Sequence, residues 1–103
     1  MRVGFCLIAA NGIDNTQRTQ IHYVVKENAD EWWHEFLDLW IVRGKLTPSE
    51  WRDLFKVILP EPPAGALVLR LPDTPPRSWA ARRVGGLNWF RENYFEWSEQ
   101  EDE

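Results

Sequence analysis

A single cysteine, six glycines and two histidines leave little material for the common reactive centres of a small protein. With Cys6 alone, no internal disulfide can form and a cysteine-only metal site is excluded. Flanked by apolar neighbours in "VGFCLIAA", Cys6 reads as a buried, inert thiol, because a reactive one needs nearby cations to lower its pKa. The paired glycines Gly85-Gly86 lack the Gly-x-x-x-x-Gly-Lys spacing that cradles phosphates. None of the serines, Ser49, Ser78 and Ser98, sits in the Gly-x-Ser-x-Gly turn that exposes a nucleophile. Glu31 and His34 share the Glu-x-x-His spacing of di-iron bundles, but His22 has no matching carboxylate to complete a second half, so a solvated face is expected. Neither catalytic residues nor a metal or other cofactor is expected, and the chain reads as a non-enzyme.

Long hydrophobic runs are missing as well. The apolar stretch after Met1-Arg2 is too short to span a bilayer and lacks a separate small-residue cleavage site. It reads as a strand, and a cytoplasmic location without membrane contact is the default expectation. The net charge of −4 is modest, yet it is unevenly laid out. Residues 77–91 carry Arg77, Arg82, Arg83 and Arg91 with no acid, whereas the tail from 96 to 103 carries five acids and no base. A chain that mildly repels nucleic acid overall therefore holds a local patch that attracts it.

What is present is aromatic mass. Hydrophobic residues make up 44% of the 103 positions and charged residues 27%, which fits one globular domain rather than a disordered chain. That domain is expected over residues 1–95, with 96–103 as an acidic tail. Seven tryptophans supply half of the aromatic residues, and "DEWWHEFLDLWIVRGKLTPSEW" at 30–51 holds four of them.

Asn-Gly in "NGIDN" is a strong turn signal, and Ile21, Tyr23 and Val25 alternate at period two beyond it. These features predict a β-hairpin of strands 2–10 and 18–26. From residue 30 the spacing changes, and with Asn28 or Asp30 as cap a helix is predicted up to Gly44. At 100° per residue its apolar residues, among them Trp32, Trp33, Phe36, Leu37 and Trp40, fill an arc of about 200°, twice what a one-sided helix needs. "TPSE" at 47–50 is a capping box with proline in the first turn, so a second helix is predicted to run to Pro60. The connection between the two is short, which predicts a helix hairpin over 30–59 with Phe36 and Trp51 in the core. After the stiff "PEPPAGA", "LVLRL" reads as a strand, Gly85-Gly86 as a helix stop or hinge, and 87–98 as a helical segment capped by Asn88. The expected fold is α+β: a small antiparallel sheet of about three strands, the helix hairpin on one face and a C-terminal helical segment beside it.

The second helix carries an apolar arc of about the same width, and two such arcs cannot be consumed by each other alone. A sheet on one side would cover most of the remainder, and apolar surface is expected to spill out for a partner at the arc edges, Trp32 and Trp40. The 77–97 segment interleaves Trp79, Trp89, Phe90, Tyr94 and Trp97 with its arginines and obeys neither structural period. Local signals that disagree about structure mark places where function overrides folding rules. The expected contact residues are Arg82, Arg83, Trp89 and Trp97, followed by Trp32 and Trp40 at the edge of the first helix. A protein partner is expected, and nucleic acid held through Arg77, Arg82, Arg83 and Arg91 is the alternative. In format, an acidic, motif-poor single domain is similar to small proteins that act by occlusion. Phage-encoded anti-defence inhibitors such as anti-CRISPR proteins, immunity proteins of bacterial toxins, and adaptor subunits share that format.

Overall fold

The computed structural model describes residues 3–72, 82–90 and 92. The chain runs β1 (Gly4–Asn11), α1 (Asn15–Asn28), β2 (Glu31–Phe36), β3 (Leu39–Gly44), α2 (Pro48–Ile58), β4 (Gly65–Arg70) and a single helical turn, α3 (Leu87–Phe90). The strands form one sheet in the order β2-β3-β1-β4, antiparallel at every pairing. The α+β class is as expected, but the sheet has four strands where about three were predicted.

Alternation along the strands sorts the core into two layers. Cys6, Ile8, Trp40 and Val42 point to one face, where Ile21 and Val25 of α1 and Trp51 and Phe55 of α2 meet them. Phe5, Trp33 and Ile41 point to the opposite face and pack with Val84 and Trp89 from the later segment. Burial on both sides is why β1 reads as an unbroken apolar run, as its sequence suggested.

The predicted strand over 18–26 is overturned, since those residues belong to α1. The Asn-Gly turn is real, and Gly12 has a positive φ of 69°, but it leads into a helix rather than back along β1. Asp14 caps that helix with a full capping box: its side chain accepts from Gln17 N–H at 2.8 Å, and Gln17 Oε1 accepts from Asp14 N–H at 2.9 Å. Ile21 and Val25, one turn apart, supply the buried stripe, while Tyr23 is left 62% exposed. Two isoleucine and valine anchors plus a cap outweigh a β-branched bias that costs only about 0.5 kcal/mol per residue in a helix.

The larger correction concerns 30–44. This stretch is the β2–β3 hairpin, turned at Leu37-Asp38, and the helix hairpin over 30–59 does not exist. α2 forms as predicted, with Thr47 and Glu50 closing the box and Pro48 in the first turn, but its helical neighbour is α1. The arc of about 200° inferred from helical spacing was the mark of a strand pair with both faces covered. On a strand, Trp32 and Trp33 can both be covered because they point to opposite sides. Phe36 and Leu37 consequently leave the core, at 46% and 67% exposed. Of the predicted C-terminal helical segment, Leu87–Phe90 is helical, and 93–98, like the acidic tail, lies outside the described residues.

Gly12 offers a direct check on the β1–α1 turn. A Cβ there would lie 2.7 Å from the Pro63 carbonyl oxygen, in a backbone conformation that side chains disfavour. Gly12→Ala is expected to cost about 1–2 kcal/mol from the left-handed backbone alone, with the clash in addition. Chemical denaturation would measure it, and an unchanged midpoint would mean that the turn does not close as described.

Candidate functional site

β2 lies at one end of the sheet order, and along it runs an open cleft of about 390 Å³. His22, Trp32 and His34 line it from the helix-covered side, and Trp33, Glu35, Gly86 and Trp89 from the other. The cleft thus straddles the strand instead of lying on one face. The pairing with β3 shifts register between Trp33 and Phe36, so His34 and Glu35 sit at the irregular step. Irregularities of this kind re-aim side chains at sheet edges.

The far wall is built by the loop before α3. Trp33 Nε1–H donates to the carbonyl oxygens of Gly85 and Gly86, at 3.1 and 3.2 Å. Trp89 Nε1–H donates to Glu31 Oε2 at 3.0 Å. A Cβ at Gly85 would sit 2.5 Å from Glu35 Oε2, and one at Gly86 would sit 2.9 Å from Trp33 Nε1. The exposed Glu35 side chain could swing away from a Cβ at Gly85, but the buried Trp33 ring could not from one at Gly86. Gly86 is therefore needed for close docking against β2, where the sequence suggested a stop or hinge. Gly86 also has a positive φ of 64°.

The near wall is an aromatic stack. His34 lies on Trp40, with ring centroids 4.3 Å apart and planes 18° from parallel. His22 is 5.1 Å from His34 and meets Trp32 edge-on at 6.2 Å. Trp40 Nε1 donates to His22 Nδ1 at 3.2 Å, and His34 Nε2 is 3.0 Å from Leu37 O. Burial lowers the His22 pKa, and His34 and Lys26 lower it further. Asp38 in the hairpin turn accepts from Arg18 Nε at 2.6 Å, tying α1 to the strands.

The expected contact residues are partly brought together. Trp32 and Trp89, both half-buried, stand on opposite sides of β2 in the same cleft. Arg82 and Arg83 are exposed on the loop that leads to its Gly86 wall, and Arg83 adopts a positive φ of 56°. Trp40 is fully enclosed, so it belongs to the core and not to an edge. Trp97, Arg77 and Arg91 lie outside the described residues. The sequence reading missed His22, Trp33, His34 and Glu35 as lining residues. A strand assignment for 31–36 would have revealed Trp33, His34 and Glu35, because it sends alternate side chains to the two sides, whereas His22 needed the helical assignment of α1.

Burial pushes the Cys6 thiol pKa up, with Arg70 opposing the shift, which suits the inert reading. Among the described residues no three histidines, cysteines or carboxylates gather where a metal ion could be held. No helix among them is long and apolar enough to cross a membrane. Compared with protein families, curated proteins and solved structures, the chain matches none. The cleft offers aromatic walls and one exposed carboxylate, Glu35.

Proposed function

We propose that this chain is a non-enzymatic binding module for a protein partner, acting by occlusion as an inhibitor or adaptor. The observation that carries the reading is the cleft straddling β2, with Trp32 on one side of the strand and Trp89 on the other. Tryptophan and arginine are the side chains that dominate interface energetics. Arg82 and Arg83, exposed on the segment that leads to Gly86, and Trp97 remain in the expected set. Trp40 leaves it, since an enclosed indole presents nothing to a partner.

Direct nucleic-acid binding is the second reading, supported by the exposure of Arg82 and Arg83 on the segment that leads to the Gly86 wall of the cleft. A photo-reactive side chain at Glu35, in the cleft, is expected to capture a protein in the source cell, whereas one at Lys56, on the solvent side of α2, captures none. Mobility shifts with DNA and RNA separate the alternative, because phosphate contacts make affinity fall steeply with salt. Nucleic-acid binding of that kind, without a protein adduct at Glu35, would replace the protein-partner reading.

With the captured partner in hand, Arg82→Glu combined with Arg83→Glu is expected to weaken binding at least about tenfold, or 1.4 kcal/mol. The melting midpoint should stay nearly unchanged, since both side chains are exposed. Calorimetry or surface-based affinity measurement would show it, and unaltered binding would confine the interface to the tryptophan walls.

A further inference from the structure

The contacts of His22, His34 and Trp40 dictate where their protons sit. Trp40 is 0% exposed, and its indole N–H can only donate. The nitrogen it meets, His22 Nδ1 at 3.2 Å, must therefore offer a lone pair, which makes His22 neutral with its proton on Nε2. Leu37 O can only accept, so His34 Nε2, 3.0 Å away, carries a proton and His34 Nδ1 is the acceptor in the neutral ring.

A further proton has different consequences at the two rings. His34 can take it on Nδ1 and keep its bond to Leu37. His22 can take it only on Nδ1, where two donors would then face each other and the enclosed Trp40 N–H would lose its acceptor. The same logic disfavours a metal ion on the pair. Ligation through His22 Nε2 would drive the proton onto Nδ1, against Trp40.

We propose that His22 is a pH-responsive latch between α1 and the β2–β3 hairpin, closed while its imidazole is neutral and released when it is protonated. Charges around it come from each element it touches. On α1, Lys26 lies one turn ahead, and Arg18, one turn behind, is held by Asp38 of the hairpin turn. β2 contributes His34 and, across the cleft, Glu35, while β3 contributes the uncharged Trp40. Burial, then His34, then Lys26 favour the neutral ring.

The direction follows from linkage. Unfolded, the imidazole titrates near its ordinary pKa of about 6.5, and folded it titrates lower. Between the two values the unfolded chain binds more protons, so stability rises with pH there. The latch holds fully above about pH 6.5 and weakens as pH falls from that value toward the folded pKa. Because His22 and Trp32 line the cleft together, release also loosens the α1 wall.

Thermal melts from about pH 8 to about pH 5, the range over which imidazole changes charge, test this. In His22→Asn the amide oxygen can accept from Trp40 but cannot titrate. The unsubstituted chain is expected to lose several degrees more on acidification than His22→Asn, with His34→Gln keeping the larger loss. Equal losses in the unsubstituted chain and His22→Asn would overturn the latch. Should His22→Asn fail to fold, imidazole NMR on the unsubstituted chain decides. An Nε2–H tautomer with a midpoint below about 6.5 supports the latch, and an Nδ1–H tautomer or an unshifted or raised midpoint overturns it.

Discussion

Trp51→Ala is expected to destabilise the chain by roughly 3–5 kcal/mol, the range for deleting a buried aromatic. Trp51 is 1% exposed, stacks on Phe55 with centroids 5.9 Å apart, and fills the space between α2 and the sheet. Its removal leaves a cavity that a capped, proline-started helix cannot easily collapse into. At about 4–8 °C per kcal/mol for a chain of this size, the melting midpoint should fall by well over 10 °C. Phe36 is the control. It is 46% exposed and its ring meets Trp33 at 5.3 Å, so Phe36→Ala should cost only about 1 kcal/mol. Similar losses for the two variants, read by denaturant unfolding, would return Phe36 to the core and sink the hairpin assignment of 31–44.

Trp40→Ala should cost as much, roughly 3–5 kcal/mol, for a different set of reasons. The indole is fully enclosed, carries the His34 ring on its face and donates to His22. Removing it empties the middle of the sheet and strips two histidines of their neighbour. Trp40→Phe keeps a ring beneath His34 and loses the N–H bond. It should recover much of the stability, at a residual cost of about 1 kcal/mol for the bond plus the smaller ring's void. If Trp40→Ala instead left the unfolding midpoint in place and weakened only partner binding, the indole would be a surface residue, as a helix over 30–43 would have made it.

The two tryptophan experiments bear on what could be read from the chain in advance. α2 was legible because its signals are local. Thr47, Pro48 and Glu50 satisfy the helix start within four residues, and Trp51, Phe55 and Ile58 repeat at helical spacing. β1 and β4 were legible for a similar reason, as short apolar runs bounded by turn residues. The class followed from these three elements and was right.

α1 was misread although its cap was present. Asp14 and Gln17 form the same kind of box as Thr47 and Glu50, but the acceptor pair is Asp with Gln, and Asn-Gly beside it argues for a hairpin. A helix with only Ile21 and Val25 buried shows too little periodicity to overrule three β-branched or aromatic residues at period two. For the β2–β3 hairpin no local signal existed. Its turn, Leu37-Asp38, contains neither glycine nor asparagine, and Asp38 is held from outside by Arg18 and by the Ala10 N–H at 2.8 Å. Long-range bonds stabilise the turn, so nothing within the segment announces it.

The same division runs through the site. Composition and spacing by themselves determined an α+β domain rich in tryptophan, a buried Cys6, a helix from Pro48, and no motif for catalysis or metal binding. They also singled out Arg82, Arg83 and Trp89 as residues that obey no structural period. Which of Trp32, Trp33 and Trp40 face inward, unlike the inward-facing Trp51, was decided by tertiary structure alone. Helical and extended backbones send Trp32, Trp33 and Trp40 in different directions, and only pairing with β1 and the cover of α1 select the extended one. That selection enclosed Trp40, set His22 against it, and placed Trp32 and Trp89 on opposite sides of one strand. Side-chain direction depends on backbone state, and here the backbone state is held by contacts between residues far apart in the chain.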